Sequence, residues 1–275
     1  MNKRLALTKD GKLTYCTASE ENIGKGRCNH VAHQGTNETA EDFMNRSNKI
    51  VLQNIDENYR QDLYGLDLNE KCNMIKNNKN LNIFVNDKDW NVRMAVAEQG
   101  YGLDRFVNDE NIWVRVTVAE QGYGLNKLIN DENEDVRAEV AKQGYGLDKL
   151  SDDESRLIRK IIAGQGYNLE KFINDESSDV RIEVVKRNYR LDKLVDDSSE
   201  FVRAKVARQE YGLNKLANDE SPIVREEVAD QGYGLNKLVN DYNEYVRETA
   251  IFYLESNNLT LEQWMKKYPE KVVKG

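Results

Sequence analysis

The dipeptide Val-Arg recurs at a fixed interval of 22 residues through most of this chain. Its copies begin at Val92, Val114, Val136, Val180, Val202, Val224 and Val246, and Ile158-Arg159 fills the one gap in the series. A fixed period of this length is typical of a solenoid, because one repeat cannot bury its apolar face alone whereas stacked repeats share a continuous core. The period therefore constrains the fold more strongly than any local pattern does.

One unit is predicted to contain two helices joined at a glycine. In the copy VRAEVAKQGYGLDKLSDDESRL, residues 136–157, Val136 and Val140 fall on one face of a helix. Gly144 is expected to end that helix in the left-handed conformation. The Leu-x-x-Leu pattern that ends at Leu150 indicates a second, shorter helix of the 3₁₀ type. The aspartate of the Asn-Asp-Glu segment that opens the units is expected to cap the first helix.

These features predict a mostly α protein, a right-handed α-solenoid of about eight 22-residue repeats that each pair an α-helix with a 3₁₀-helix. The repeats are expected over residues 81–254, and a C-terminal capping helix over residues 255–275. A helical connector with a degenerate repeat is expected over residues 51–80, where Cys72 is interpreted as buried and structural. A small Cys/His head over residues 1–50 precedes the connector.

The last unit departs from the pattern in a way that indicates a cap. Phe252, Tyr253 and Trp264 are expected to close the open end of the apolar core, and Thr260 is placed to begin the capping helix. A solenoid needs such a terminal unit because its last apolar face would otherwise contact water.

Both histidines and two of the three cysteines lie in the head. The segment RLALTKDGKLTYC predicts a β-hairpin around Asp10-Gly11, which makes the head α+β. The candidate metal ligands are Cys16, Cys28, His30 and His33. Two sulfurs and two imidazoles suit one tetrahedral structural zinc ion, which would stabilise a thin core. Two alternatives stay open: free thiols beside surface histidines, and a catalytic Cys28 with a histidine base, for which no third orienting group is visible.

Composition limits the classes of function. The net charge is −8, and residues 1–50 hold 8 Lys/Arg against 6 Asp/Glu, so the acidity belongs to the repeats. An acidic chain is not expected to bind nucleic acid directly and suits a basic protein partner. No apolar run approaches the ~18–20 residues of a membrane span, and no secretory signal is visible. Three cysteines without disulfide-framework spacing favour a reducing cytoplasm.

Two charged rows follow the period. The arginines are Arg93, Arg115, Arg137, Arg159, Arg181, Arg203, Arg225 and Arg247, and the aspartates are Asp87, Asp109, Asp131, Asp153, Asp175, Asp197, Asp219 and Asp241. Since each arginine follows an aspartate by six residues, bidentate bonds between neighbouring units are the expected structural role. The alternative is a phosphate track, with the tyrosine ladder at Tyr101, Tyr123, Tyr145, Tyr167, Tyr189, Tyr211 and Tyr233 stacking on bases of a single strand.

The position before Val-Arg, here called the edge row, changes from unit to unit. It holds Asn91, Trp113, Asp135, Leu157, Asp179, Phe201, Ile223 and Tyr245, and Trp90 and Ile112 lie beside it. Large apolar side chains at the expected exposed start of a helix are typical of interface anchors. The edge row is therefore the candidate partner-binding surface; the alternative is that some of these side chains pack against the preceding unit.

A second irregularity lies in KRNYRL, residues 186–191, where Arg187, Asn188 and Arg190 replace the usual Gln, Gly and Gly. Asn188 tolerates the left-handed conformation well, whereas Glu210, which also replaces a glycine, does so at a greater cost. Arg187 and Arg190 form a basic spot in an acidic array. This spot is interpreted either as a docking point or as sequence drift.

The segment NDENEDVRAEVAKQGYGLDKL resembles the leucine-rich repeat variant family, whose units pair an α-helix with a 3₁₀-helix, and more loosely HEAT-type repeats. The resemblance covers roughly residues 81–254 and departs from the family in the 22-residue period and in Gly-Tyr-Gly where the family has prolines. It implies protein binding more often than catalysis. The head segments LTKDGKLTYC and GKGRCNHVAHQ resemble an N-terminal module of bacterial plasmid and phage proteins, some of them linked to anti-restriction or anti-CRISPR activity.

The sequence therefore predicts a non-enzymatic, cytoplasmic repeat protein that binds a protein partner. The more specific hypothesis is a mobile-element inhibitor whose acidic solenoid occupies the basic groove of a host nuclease, for example a nucleic-acid-guided one. A general protein–protein scaffold and a single-stranded nucleic-acid binder remain alternatives, as does an enzyme centred on Cys28.

Overall fold

A computed structural model describes residues 4–8, 13–16, 30–33, 43–44 and 62–274 of the chain. The chain forms two compact units, an N-terminal unit of residues 1–124 and a C-terminal unit of residues 125–275. The boundary between them falls inside the segment predicted to hold the repeats. The described part of the chain is mostly α-helical, with serial packing of adjacent helices in the manner of an α-solenoid.

Three short strands lie near the start of the N-terminal unit. They are β1 (Arg4–Thr8), β2 (Leu13–Cys16) and β3 (His30–His33), and they form an antiparallel sheet in the order β2-β1-β3. Arg4 pairs with Cys16 at one end of β1, and Thr8 pairs with His30 at the other end. The Asp10-Gly11 turn predicted between β1 and β2 lies outside the described residues.

Helices of nine or so residues alternate with helices of four residues from Leu68 onward. The N-terminal unit contains α1 (Leu68–Lys76), α2 (Leu81–Phe84), α3 (Trp90–Glu98), α4 (Leu103–Phe106) and α5 (Ile112–Glu120). The C-terminal unit contains α6 (Leu125–Leu128), α7 (Glu134–Lys142), α8 (Leu147–Leu150), α9 (Arg156–Gln165), α10 (Leu169–Phe172), α11 (Ser178–Lys186), α12 (Leu191–Leu194), α13 (Glu200–Arg208), α14 (Leu213–Leu216), α15 (Pro222–Asp230), α16 (Leu235–Leu238), α17 (Glu244–Ser256) and α18 (Leu261–Lys267), followed by a 3₁₀ turn (Pro269–Lys271).

The apolar face predicted for the long helices forms the core. Val136, Val140 and Ala141 are fully buried in α7, and Leu150 is fully buried in α8. In the C-terminal unit α7 packs on α9, α9 on α11, and so on to α15 on α17. Each long helix therefore buries its apolar face against its neighbours rather than within its own repeat.

The short helices are single α-turns, so the prediction of 3₁₀-helices is wrong. In α8 the backbone N–H groups of Leu150 and Ser151 donate to the carbonyls of Gly146 and Leu147, four residues back. Gly146, which begins this turn, has a φ of 62°, and a Cβ there would lie 2.2 Å from Ile129 Cδ1. Glycine suits this corner because the left-handed backbone costs a residue with a Cβ, and the Ile129 side chain would have to move to admit one.

The predicted helix caps are also displaced by two residues. At α9 the cap is Ser155, whose side chain accepts from the N–H of Leu157 at 3.2 Å. Asp153 instead accepts from the N–H of Ser155 at 2.9 Å and from Arg137 Nε at 2.7 Å. Asp153 therefore orients the capping residue and binds the preceding unit, and the capping of α9 falls to Ser155.

The C-terminal cap follows the prediction in part. Thr260 caps α18 through a reciprocal pair of bonds with Gln263, and Trp264 is fully buried. The chain then returns to α16, where the N–H of Gly234 donates to the carbonyl of Lys271 at 2.9 Å. Phe252 was predicted to lie in this cap, but its side chain is 68% exposed on α17. That prediction is wrong because Phe252 lies on the solvent-facing side of the helix.

The helical array begins before residue 81. Lys71 lies 22 residues before Arg93, and its Nζ forms a buried ion pair with Asp87 at 2.9 Å. Helix α1 is thus the long helix of an earlier repeat, in which lysine takes the position of the arginine. Cys72 beside it is half-buried rather than buried, and partial burial raises the pKa of its thiol. None of the described helices has the length and hydrophobicity of a membrane span.

Candidate protein-interaction surface

The arginines of the repeats bind consecutive units together. Arg203 Nε and Nη2 donate to the two carboxylate oxygens of Asp219 at 2.7 and 2.8 Å, and its Nη1 donates to the backbone carbonyl of Asp197 at 2.8 Å. Six arginines share this arrangement, namely Arg93, Arg137, Arg159, Arg181, Arg203 and Arg225, with Asp109, Asp153, Asp175, Asp197, Asp219 and Asp241 as carboxylate partners. Each guanidinium therefore connects its own 22-residue repeat to the next repeat.

These ion pairs are almost inaccessible to solvent. The six arginine side chains are at most 10% exposed and their aspartate partners at most 8%. Burial alone would raise the pKa of the Asp219 carboxyl, but the bonds from Arg203 and from the Ser221 N–H outweigh it and lower the pKa. The same balance lowers the pKa of Asp153 and Asp241. With both edges of each guanidinium bound to protein oxygen atoms, these six arginines are not free to contact phosphate.

Arg115 and Arg247 likewise bind a backbone carbonyl six residues back. Arg115 Nη1 donates to the Asp109 carbonyl at 2.8 Å, and Arg247 Nη1 donates to the Asp241 carbonyl at 2.7 Å. Arg247 is the last of the row, and position 263, where the next aspartate would fall, holds glutamine.

The tyrosine ladder lies beside carboxylates. Tyr189 Oη donates to Glu170 at 3.0 Å, and Tyr167 Oη bonds to Asp148. These bonds raise the pKa of both phenols. Tyr123, Tyr145 and Tyr211 are exposed at the glycine corners. A nucleic-acid backbone approaching this ladder would meet negative charge.

The edge row contains the exposed apolar side chains predicted from the sequence. Trp113 is 47% exposed, Leu157 40%, Phe201 57%, Ile223 38% and Tyr245 68%. Each is the second residue of a long helix. Five large apolar side chains at this phase are therefore partly accessible to solvent. Trp90 and Ile112, one residue earlier in their helices, are half-buried.

Tyr242 is a surface aromatic residue that the sequence analysis missed. Its side chain is 77% exposed, its ring covers the Arg225 guanidinium at 4.4 Å, and its hydroxyl donates to the Glu220 carbonyl at 3.3 Å. In five other units this position is a glutamate, namely Glu110, Glu132, Glu154, Glu176 and Glu220. The change from Asn-Asp-Glu to Asn-Asp-Tyr was the signal that could have identified it.

The surroundings of the edge row are acidic. The glutamates that follow the ladder aspartates extend into solvent, with Glu110, Glu154, Glu176 and Glu220 between 82% and 91% exposed. In three units such a glutamate lies three residues before an exposed apolar residue of the edge row, as Glu110 does before Trp113.

The basic spot at residues 186–191 is largely neutralised. Arg190 has a φ of 49°, and its guanidinium pairs with Asp192 at 3.2 Å and Glu170 at 3.5 Å. Hydrogen bonding to Asp192 raises the pKa of the Arg190 guanidinium. Arg187 is exposed at the end of α11. Of the two arginines, Arg187 is the more accessible to a partner.

The candidate zinc ligands fall largely outside the described residues. Cys28 lies outside them, as do the side chains of Cys16, His30 and His33, whose backbones belong to β2 and β3. The sheet register places Cys16 and His30 at opposite ends of β1, about 14 Å apart along the strand direction at ~3.4 Å per residue. Among the side chains that the structure describes, no group of three or more His, Cys, Asp or Glu is placed to hold a metal.

No protein-family model matches the chain, and no curated protein matches it either.

Proposed function

We propose that this chain is a non-enzymatic repeat protein that binds a protein partner through its edge row. The observation that carries the proposal is the exposure of Trp113, Leu157, Phe201, Ile223 and Tyr245 at one helical phase. The ladder residues that build the array are the same in nearly every unit and are buried, so they are committed to architecture. Residues that change and remain exposed are the ones available for specific recognition.

The partner that fits this surface is basic. The chain carries a net charge of −8, and the glutamates beside the edge row are more than four-fifths exposed. Charge complementarity would accelerate association and exclude acidic competitors, while the aromatic side chains would supply most of the affinity. Such binding weakens as salt rises, because exposed charges are screened.

We further propose that the repeats belong with leucine-rich repeat variant and HEAT-like solenoids, and that the partner is a nuclease with a basic nucleic-acid groove. The acidic repeats and the resemblance of the head to modules of plasmid and phage anti-defence proteins support a mobile-element inhibitor. Under this proposal the acidic array occupies the groove in place of nucleic acid. A general scaffold would show the same anchors and a partner unrelated to nucleic acid.

We retain a structural zinc ion in the head as part of the proposal, carried by the donor set Cys16, Cys28, His30 and His33. Elemental analysis of freshly purified protein should give about one zinc per chain, and it should be lost in Cys28→Ser. Because Cys16 and His30 lie at opposite ends of β1, Cys16→Ser tests separately whether all four residues share one ion. Cys72→Ser is the control, and metal-free wild-type protein would refute the zinc site.

Affinity purification from cells that carry the gene, followed by mass spectrometry, tests the binding function. Wild type should retain a basic partner that is released as salt rises, and Trp113→Ala and Phe201→Ala should each reduce its recovery. Tyr123→Ala, a corner residue of similar exposure at 43%, is the matched control. A partner recovered equally by all four proteins would show that the edge row is not the binding surface.

A further inference from the structure

The apolar residues of the edge row are consecutive in only one part of the C-terminal unit. Phe201, Ile223 and Tyr245 are the second residues of α13, α15 and α17, and these helices pack against one another in series. Earlier in the same unit, Leu157 is flanked in the row by Asp135 and Asp179. The three last positions thus form a continuous apolar strip, whereas Leu157 is isolated.

Tyr242 enlarges this strip. It lies three residues before Tyr245, is 77% exposed, and is held over Arg225 by its ring and by its bond to the Glu220 carbonyl. We call Phe201, Ile223, Tyr242 and Tyr245 the aromatic strip. Its most exposed member is fixed by two contacts, so less side-chain entropy is lost when a partner covers it.

An acidic row runs beside the aromatic strip. Glu226 and Glu248 lie three residues after Ile223 and Tyr245 on the same helices, and residues at this spacing share a helix face. Glu248 is exposed and Glu226 is half-buried, and neither forms a salt bridge with another described residue. A partner lying on the aromatic strip would therefore meet two carboxylates along one flank, about one helical turn (~5.4 Å) away.

The spacing of the strip selects the conformation of the partner. Packed helices lie about 8–10 Å apart, and two turns of an α-helix advance about 10.8 Å. A helix laid across α13, α15 and α17 would place one apolar residue over each of them at every seventh position. An extended strand repeats its side chains on one face every ~6.7 Å, which deviates further from the spacing of packed helices than two helical turns do.

We propose that the aromatic strip binds an amphipathic, basic α-helix of a partner protein. The apolar side of that helix, with residues seven apart, contacts Phe201, Ile223 and Tyr245, and its lysines or arginines face Glu226 and Glu248. The inference rests on the proposed function, since it assigns one site and one class of ligand to the protein-binding role. Helix-in-groove recognition of this kind uses periodic apolar anchors supported by flanking charge.

A synthetic helical peptide of about three heptads, with leucine at every seventh position and lysines on one flank, is the probe. Fluorescence anisotropy with the full chain should give saturable binding that weakens with salt. Phe201→Ala and Tyr245→Ala should each weaken binding about tenfold, as expected for the loss of an aromatic anchor. The double variant Glu226→Gln/Glu248→Gln should also weaken it and should flatten its salt dependence.

Matched control variants distinguish binding at the aromatic strip from nonspecific hydrophobic binding elsewhere on the surface. Tyr145→Ala and Tyr211→Ala change corner residues outside the strip and outside the edge row, which are 42% and 41% exposed. Both should leave binding within about twofold, the usual outcome away from a hot spot. A peptide of the same composition with shuffled leucines should bind weakly.

Three outcomes would overturn the inference: no binding of the probe, equal binding of the shuffled peptide, or equal loss with Tyr145→Ala. A fourth such outcome would come from sedimentation of the chain alone. If wild type formed dimers and Phe201→Ala did not, the strip would bind a second copy of the chain. The partner-recovery experiment does not use the peptide. If the peptide did not bind the aromatic strip but Trp113→Ala still reduced recovery of the partner, this inference would fail and the proposed function would stand.

Discussion

Two rows of side chains on the same helices have opposite properties. In α13 the side chain of Arg203 is 10% exposed and bonded to two units, whereas Phe201, two residues earlier, is 57% exposed. In the eight units from Asp87 onward the arginine row keeps the same residue, whereas the edge row has seven different residues. The comparison separates positions that set the register between repeats from positions left free to vary, and it predicts that the two rows respond oppositely to substitution.

The largest effect is expected when one partner of a buried ion pair is removed. Arg203→Met keeps the side-chain volume but leaves the Asp219 carboxylate, 8% exposed, without its bidentate donor. Breaking a buried pair in this way costs about 3–5 kcal/mol. Urea denaturation followed by circular dichroism should show the loss.

The matched control is Glu220→Gln. Glu220 lies 3.7 Å from the same guanidinium but is 91% exposed, and exposed pairs contribute about 0–1 kcal/mol. Replacing both buried partners, as in Arg203→Met/Asp219→Leu, should recover much of the stability because no uncompensated charge remains. If Arg203→Met and Glu220→Gln lowered the free energy of unfolding equally, burial would not explain the contribution of the arginine–aspartate pairs.

The second-largest effect is expected at low pH, where the aspartates that pair with the buried arginines become protonated. The pKa values of Asp153, Asp219 and Asp241 are lowered below the ordinary value of 3.8 in the folded chain. A lowered folded pKa contributes stability that is fully present above pH 3.8 and is lost as the pH falls through the folded pKa. The melting temperature should therefore fall below that pH, and less steeply in Asp219→Asn. Glu220→Gln, at the exposed position, should retain the wild-type slope.

A smaller effect of opposite sign is expected at a glycine corner. Glu210 has a φ of 56°, in the position that Gly144 and Gly232 occupy in other units. Since the left-handed conformation costs a residue with a Cβ about 1–2 kcal/mol, Glu210→Gly should stabilise the chain by about 1 kcal/mol. Thermal melts would measure it. Gly144→Ala, where a Cβ meets nothing within 4 Å, should destabilise by a similar amount; destabilisation by Glu210→Gly would contradict the argument.

The 22-residue period predicted most of the helical array because residues 22 apart occupy equivalent positions and have the same structural role. Val136, Val140 and Gly144 could be assigned from a single unit. All seven further copies keep an apolar residue at the first two phases, and four of them keep glycine at the third. The type of the short helix could not, since an apolar spacing of three fits both an α-turn and a 3₁₀-turn. The capping role of Asp153 was misjudged because its carboxylate is already engaged by Arg137 in the preceding unit, a contact between units that no local pattern contains.

The period contained the answer for one side chain that was misplaced and for two that received no prediction. Phe252 lies at the phase of Arg208 and Asp230, both exposed, so its exposure followed from the repeat. Tyr242 lies at the phase of Glu220, and Lys71 at the phase of Arg93. For Phe252 residue type was weighted above phase, whereas in a stacked array the phase determines the surroundings of a side chain.

The smallest effect on stability should come from the edge row itself. Phe201→Ser removes a large apolar side chain that is 57% exposed, and surface substitutions of this kind usually change the free energy of unfolding by less than about 0.5 kcal/mol. Val202→Ser, at the next residue, is the control: Val202 is fully buried, so a polar group there should cost several times more. Denaturation midpoints of the two variants would measure the contrast. A large loss in Phe201→Ser would show that the aromatic edge supports the fold, and the division between the two rows would then fail.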